Sequence, residues 1–232
     1  MLEVRKSKER GRFELDWLKS SHTFSFGSYY DPRYMGFRSL RVINEDAVQP
    51  GGGFPPHSHR DMEIISYVTA GELAHEDSMQ NGSIVKPGEI QYMRAGSGVR
   101  HSEHNASGEV LKFLQIWVQP NRLGSAPAYD QRAIDETQRQ NRLYLLASGD
   151  ERDGRVVLQQ DARLYTALLD PGAAVSYELG AGRGAWVQVV RGALEVNGKE
   201  LEAGDGAAIE DEPSLHIVGK APSELLLFDL GA

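Results

Sequence analysis

Turn signals recur along this chain at intervals too short for long helices. Asp31-Pro32, Gln49-Pro50-Gly51-Gly52-Gly53, Asn81-Gly82, Pro87-Gly88, Gly96-Ser97-Gly98, Asp170-Pro171-Gly172 and Asn197-Gly198 each interrupt it, and Asn-Gly is the dipeptide that tight hairpins favour. Between them lie short runs rich in β-branched and aromatic residues, such as Met62 to Val68, Ile90 to Met93, Val110 to Val118, Leu164 to Leu169 and Leu225 to Leu230. Such residues suit a pleated, half-buried surface. Thr23 to Phe26 alternates as a half-buried strand does, and Asn44-Glu45-Asp46 reads as the close of the apolar run Phe37 to Ile43. No sustained 3.6-residue period breaks this rhythm. The pattern predicts an all-β protein built from sandwiches or barrels.

A weak internal echo points to two such units. Tyr67 to Leu73 resembles Val189 to Leu194, and Lys86-Pro87-Gly88-Glu89 resembles Glu202-Ala203-Gly204-Asp205. The polar stretch Asp130 to Arg142 is read as a partly helical linker. Two tandem β-barrel (jelly-roll) domains are therefore expected, at residues 1–134 and 135–232.

Composition removes several function classes. Thirty-three acidic against 25 basic residues give a net charge of −8, which argues against a nucleic-acid or anionic-membrane surface. There is no cysteine, so disulfides, thiolate catalysis and iron–sulfur clusters are excluded, and any metal falls to histidine and carboxylate. The charged N-terminus lacks the apolar run of a signal peptide, and no stretch approaches the roughly 18 apolar residues of a membrane span. A cytoplasmic monomer is expected.

Three of the seven histidines fall in two short phrases, His57-Ser58-His59 and His101-Ser102-Glu103. On a strand, residues i and i+2 share a face, about 6.5 Å apart. Two such phrases on facing strands would converge three imidazoles and a carboxylate on one point. His22, His75, His104 and His216 are expected to be hydrogen-bonded or exposed, with His104 pointing away from the site. Ser102, Asn105 and Gln115 are candidate partners of the ligands. Phe54, Tyr67, Tyr92 and Phe113 are candidate pocket walls or plain core residues. The second half, with His216 alone and no second His-x-His, is expected to be a barrel without metal, retained for packing.

The spacing Gly51, five residues, His57-x-His59, three residues, Glu63 is similar to the first motif of the cupin superfamily, with the closing Gly71 one residue late, and His101 with Asn105 is similar to the end of the second. A closer resemblance lies in His22-Thr23-Phe24-Ser25-Phe26, Tyr30-Asp31-Pro32, Met35-Gly36-Phe37, Leu40-Arg41-Val42-Ile43-Asn44, His57-x-His59-Arg60-Asp61-Met62-Glu63, His75-x-Asp77-Ser78 and His101-Ser102-Glu103. Together these resemble the pirin family, densely over residues 1–118.

The resemblance implies a bicupin with one metal in its N-terminal barrel. For bacterial members it implies flavonol (quercetin) 2,3-dioxygenase activity on quercetin and O₂, with release of carbon monoxide. Ordinary cupins use the carboxylate after His-x-His, here Glu63. The pirin resemblance implies Glu103 instead, and strand parity with His101 agrees. The expected ligands are therefore His57, His59, His101 and Glu103, with Glu103, or a metal-bound hydroxide, as the catalytic base. One divalent transition ion is expected there: Fe(II) favoured, with Mn, Co, Ni, Cu or Zn compatible. The alternatives are a metal-dependent regulatory, protein-binding pirin with incidental activity, or a cupin enzyme acting on another small enol.

Overall fold

The computed structural model describes residues 1–150 and 155–232. Its strands follow the turn rhythm. The first is β1 (Leu2–Arg5), followed by β2 (Gly11–Glu14), β3 (Leu18–His22), β4 (Leu40–Val48), β5 (Gly53–Ala70), β6 (Leu73–Asp77), β7 (Gly82–Val85), β8 (Glu89–Asn105), β9 (Leu111–Val118) and β10 (Ala128–Ala133). The second half contributes β11 (Tyr144–Ser148), β12 (Val156–Val157), β13 (Ala162–Leu169), β14 (Ala174–Glu178), β15 (Gly184–Arg191), β16 (Ala193–Val196), β17 (Lys199–Glu202), β18 (Gly206–Glu210), β19 (Ser214–Gly219) and β20 (Ser223–Leu230). The all-β expectation holds, with two jelly-roll units.

Contacts divide the chain into Gly11–Ile134 on one side and Met1–Arg10 with Asp135–Ala232 on the other. This division differs from the expected range 1–134 over its first ten residues. β1 pairs antiparallel with β18, from Leu2 opposite Ile209 to Arg5 opposite Gly206, so its backbone groups are satisfied by the second unit's sheet.

The Gly11–Ile134 unit is one nine-stranded sheet in the order β2-β3-β4-β9-β5-β8-β6-β7, with β10 on β8. Leu18 of β3 near one end packs with Leu73 and Val85 of β6 and β7 at the other, together with Val48, Val68, Leu111 and Phe113. The sheet is thus rolled around an apolar plug. Its length comes from β5 and β8, of 18 and 17 residues. β9 takes up the C-terminal half of β5, from Glu63 to Ala70. β8 is shared by β10 along its first half and β6 along its last.

Three local expectations shift. Thr23 to Phe26 lies beyond β3 and outside the strands, although the Thr23 amide still donates to the Ile43 carbonyl at 3.0 Å. Asn44-Glu45-Asp46 does not close its strand: β4 runs on to Val48, with Asn44, Asp46 and Val48 buried and Glu45 exposed. The supposed linker is half strand, since β10 adds to β8, and only Glu136–Arg139 is helical, capped by Asp135, which accepts from the Thr137 amide at 2.9 Å.

The second unit faces a seven-stranded sheet, β1-β18-β15-β20-β13-β11-β12, with a four-stranded one, β14-β19-β16-β17. Both supply its core, with Ala167, Val187 and Leu225 from the first meeting Leu194, Leu201 and Ile217 from the second. The reach of each barrel depends on tight turns. Gly71 has φ +72°, and a Cβ there would lie 2.8 Å from the Leu111 Cα. Gly71→Ala is expected to lower stability by about 1–3 kcal/mol, read as a lower urea midpoint at unchanged slope; an unmoved midpoint would contradict this account.

Candidate metal centre

The two histidine phrases meet because β5 and β8 run antiparallel, with His57 opposite His101 and Phe54 opposite Glu103. Register shifts flank the first phrase, between Phe54 and His57 and between His59 and Asp61. Asp61 takes a left-handed φ of 64°. Such bulges re-aim a strand's side chains. The three imidazoles converge: ring centroids are 4.7 Å apart for His57 and His59, 4.5 Å for His57 and His101, and 4.8 Å for His59 and His101. Nε2 of His57 lies 3.1 Å from Nε2 of His101, while His57 Nδ1 donates to the Pro55 carbonyl at 2.8 Å. That bond sets the tautomer and leaves the Nε2 lone pair turned toward the cluster.

Glu103 is completely buried. Its Oε1 accepts from Gln91 Nε2 at 3.3 Å and Ser66 Oγ at 3.4 Å, and its Oε2 from Gln115 Nε2 at 3.2 Å. The same Oε1 lies 3.9 Å from His75 Nδ1 and 4.0 Å from His101 Nδ1. The structure thus gathers His57, His59 and His101 in one group whose candidate donor atoms lie within 4.8 Å, and His75, His101 and Glu103 in another. His101 belongs to both, with Nε2 turned to the first and Nδ1 to the second. Glu63 belongs to neither. The bulge after His59 inverts the alternation: Ser66 reaches Glu103, while Glu63 is buried elsewhere and accepts from the Tyr92 hydroxyl at 2.6 Å.

Protonation suits ligation. Burial lowers His59 to a pKa of about 4, helped by His57 and opposed by Glu103. Burial likewise takes His101 to about 4 against the pull of Glu103. Both are neutral donors at pH 7. Burial alone would raise Glu103, but the neighbouring His75 and His101, with Gln91, hold it below the usual carboxylate range. A cluster of imidazoles beside an ionised carboxylate fits a borderline divalent transition ion better than Mg²⁺ or Ca²⁺, which prefer all-oxygen shells.

The remaining histidines sort cleanly. His104 and His216 are exposed. His22 is buried in the wall of a cavity. His75 is buried and pairs with Asp77, Nε2 to Oδ2 at 3.1 Å. Burial opposes its charge, but Glu103 and Asp77 outweigh it and its pKa rises. Its place next to the site was readable from a third i,i+2 phrase, His75-x-Asp77, which β6 sets opposite Glu103 and His101. Of the three candidate partners, Gln115 alone touches Glu103; Asn105 bonds the Val48 and Glu109 carbonyls, and Ser102 faces the opposite side, in a shallow pocket with Arg100.

Beside His57 and His59 opens a cavity of about 470 Å³. Phe13, Leu18, Phe26, Phe54 and Trp117 form its apolar wall. Of the four aromatic candidates, Phe54 lines it, while Tyr67, Tyr92 and Phe113 are core residues. Trp117 stands edge-on to His59 at 5.0 Å and donates to Gln115 Oε1 at 3.2 Å. Ser20, Asn44, Asp46 and Gln115 form the polar part of the wall.

Residues 3–118 match the Pirin family model, and residues 145–230 match a model described as the quercetinase C-terminal cupin domain. The chain is 47% identical over 232 residues to a protein named quercetin 2,3-dioxygenase from Escherichia coli K12, covering 99% of each. The chain belongs to the pirin family. A pirin-like protein of Caulobacter vibrioides is 40% identical over 230 residues, again covering 99% of each. In structure, the chain resembles the E. coli bacterial pirin YhhW in complex with nickel(II), with a TM-score of 0.95 and 44% identity over 100% of this chain and 99% of that one. The resemblance to quercetin 2,3-dioxygenase-type oxidoreductases thus extends over the whole length. Among the described residues, both metal-capable groups lie in the Gly11–Ile134 unit.

Asp46 was hidden by the reading that ended its strand early. Burial raises its pKa to about 7, with Glu103 and Glu45 adding to the rise and a bond from Ser20 opposing it. The folded value lies above the unfolded one of 3.8, so folding favours the neutral acid. Stability from this group is complete below pH 4 and is lost as pH rises through 7. Asp46→Asn, which carries no charge, is therefore expected to match the wild-type melting temperature near pH 4 and to exceed it increasingly up to pH 7, with a constant gap above. A gap independent of pH would refute the shift.

Proposed function

We propose that this chain is a metal-dependent dioxygenase that cleaves flavonols such as quercetin, adding O₂ across the central ring and releasing carbon monoxide. The observation that carries the reading is the set of three converging imidazoles, two of which, His57 and His59, line an aromatic cavity of about 470 Å³, within the range of small-molecule sites. His57, His59, His101 and Glu103 would hold one divalent ion. Iron(II) is our choice, and manganese, cobalt, nickel, copper and zinc are compatible with the same donors. Bound there, the ion would supply Lewis-acid activation of a substrate hydroxyl and access to O₂.

The chain's own residues supply the rest. Glu103, ionised and fixed by Gln91, Gln115 and Ser66, is the base that takes the proton of the 3-hydroxyl. His75, whose protonated form Glu103 and Asp77 favour, lies behind that carboxylate. Phe54 and Trp117 flank a flat ring and keep water from it. Balance requires one flavonol and one O₂ to give one carbon monoxide and one depside ester. No helix among the described residues is long and apolar enough to cross a membrane. A cytoplasmic monomer acting without nucleic acid completes the proposal.

The test loads the protein with each metal in turn and follows oxygen uptake and carbon monoxide release with quercetin. His57→Ala should lose metal and reduce turnover by about 100-fold or more, and Glu103→Gln should reduce kcat by about 10²–10⁴-fold. Turnover unchanged in His57→Ala would sink the mechanism. Tight metal binding without turnover of any flavonol would favour a metal-dependent binding protein instead.

A further inference from the structure

The polar part of the cavity wall holds an unusual pair of atoms. Asn44 and Asp46 are two residues apart on β4 and share its inward face. Each is almost wholly buried, at 2% and 4% exposure. The register places Ser20 opposite Asp46, and both His22 and Gln115 opposite Asn44. Ser20 bonds the Asp46 carboxyl, yet Oδ1 of Asp46 and Oδ1 of Asn44 make no hydrogen bond among the described residues. Both residues line the cavity that reaches His57 and His59. A buried acceptor left unmade loses its hydration without compensation, and such groups call for an explanation. Two on one strand face, across from an apolar wall, are what a site uses to fix the orientation of a ligand.

We propose that Asp46, seconded by Asn44, is the specificity-determining residue of this cavity and accepts a hydrogen bond from a ring hydroxyl of the substrate other than the one directed to the histidine cluster. The inference rests on the flavonol reading and deepens it: the preferred substrates are polyhydroxylated flavonols, and a flavonol with a bare skeleton is a poor ligand. The distinction follows from chemistry. A site built to bond a hydroxyl rejects the analogue that lacks it far more strongly than an apolar pocket rejects an added group. Asp46→Asn keeps the shape of the side chain and its partner Ser20, but can turn an amide donor into the cavity where an acceptor stood.

Binding separates this role from turnover. Zinc(II)-loaded protein under anaerobic conditions at pH 8.5, where Asp46 is ionised, would be titrated with 3-hydroxyflavone and with quercetin, following quenching of tryptophan emission, since Trp117 lines the cavity. Wild-type protein should bind quercetin at least about tenfold tighter than 3-hydroxyflavone, and Asp46→Asn should lose about tenfold for quercetin while holding 3-hydroxyflavone within about twofold. Equal losses for both ligands, or no preference in the wild type, would overturn the inference. Parallel aerobic assays of the iron-loaded protein keep the two ideas apart. Graded binding without oxygen consumption removes the dioxygenase reading alone, turnover without graded binding removes the Asp46 role alone, and no binding of either flavonol removes both.

Discussion

The antiparallel pairing of β5 with β8, broken by two bulges, is the constraint on which the site depends. It sets His57 directly across from His101, and the bulge between His59 and Asp61 decides which later residues share their face. In a regular strand Glu63 would point the same way as His57 and His59. With the register shifted here and Asp61 in a left-handed conformation it turns to Tyr92, and Ser66 takes the inward side. A bulge sacrifices ladder bonding. Here it removes a competing carboxylate and supplies a hydroxyl to Glu103 in its place.

Burying Glu103 is the second constraint. Taking a carboxylate out of water costs several kcal/mol even after relaxation. Each of three hydrogen bonds to a charged group returns about 1.5–3 kcal/mol, and Gln91, Gln115 and Ser66 each supply one. The donors are themselves tied down. The Tyr129 hydroxyl, which also pairs with Ser83, donates to Gln91 Oε1 at 3.3 Å, and Trp117 fixes Gln115. Orientation of the carboxylate is therefore shared by four strands, so loss of one donor leaves the others to hold it.

Much of this was legible in the sequence because period-two patterns survive where strands are regular. The fold class and the meeting of the three histidines follow from residues that obey alternation, whereas Glu103 is preferred to Glu63 on the pirin resemblance, with its parity to His101 agreeing. What escaped had physical reasons. By simple alternation Glu63 falls on the histidines' face, and a bulge that moves it off leaves no clear mark in composition. Asn44-Glu45-Asp46 looks like a turn because polar residues in a row are usually solvated, and only a cavity inside the barrel lets a strand carry them inward. Residues 1–10 looked like part of the first domain because strand partners 200 residues apart share no local signal.

That distant pairing gives the chain a definite order of assembly. Residues 11–134 contain every strand of their own sheet and can close it as soon as Ile134 has been made. β1 has no such opportunity: its partner β18 begins at Gly206, so a strand made before the first unit is among the last to find its place. Until then its Leu2 and Val4, which pack on the second core, are carried as an exposed apolar tail. A ribosome releasing this chain early would leave a finished first barrel trailing an unpaired strand, the kind of edge that recruits other chains.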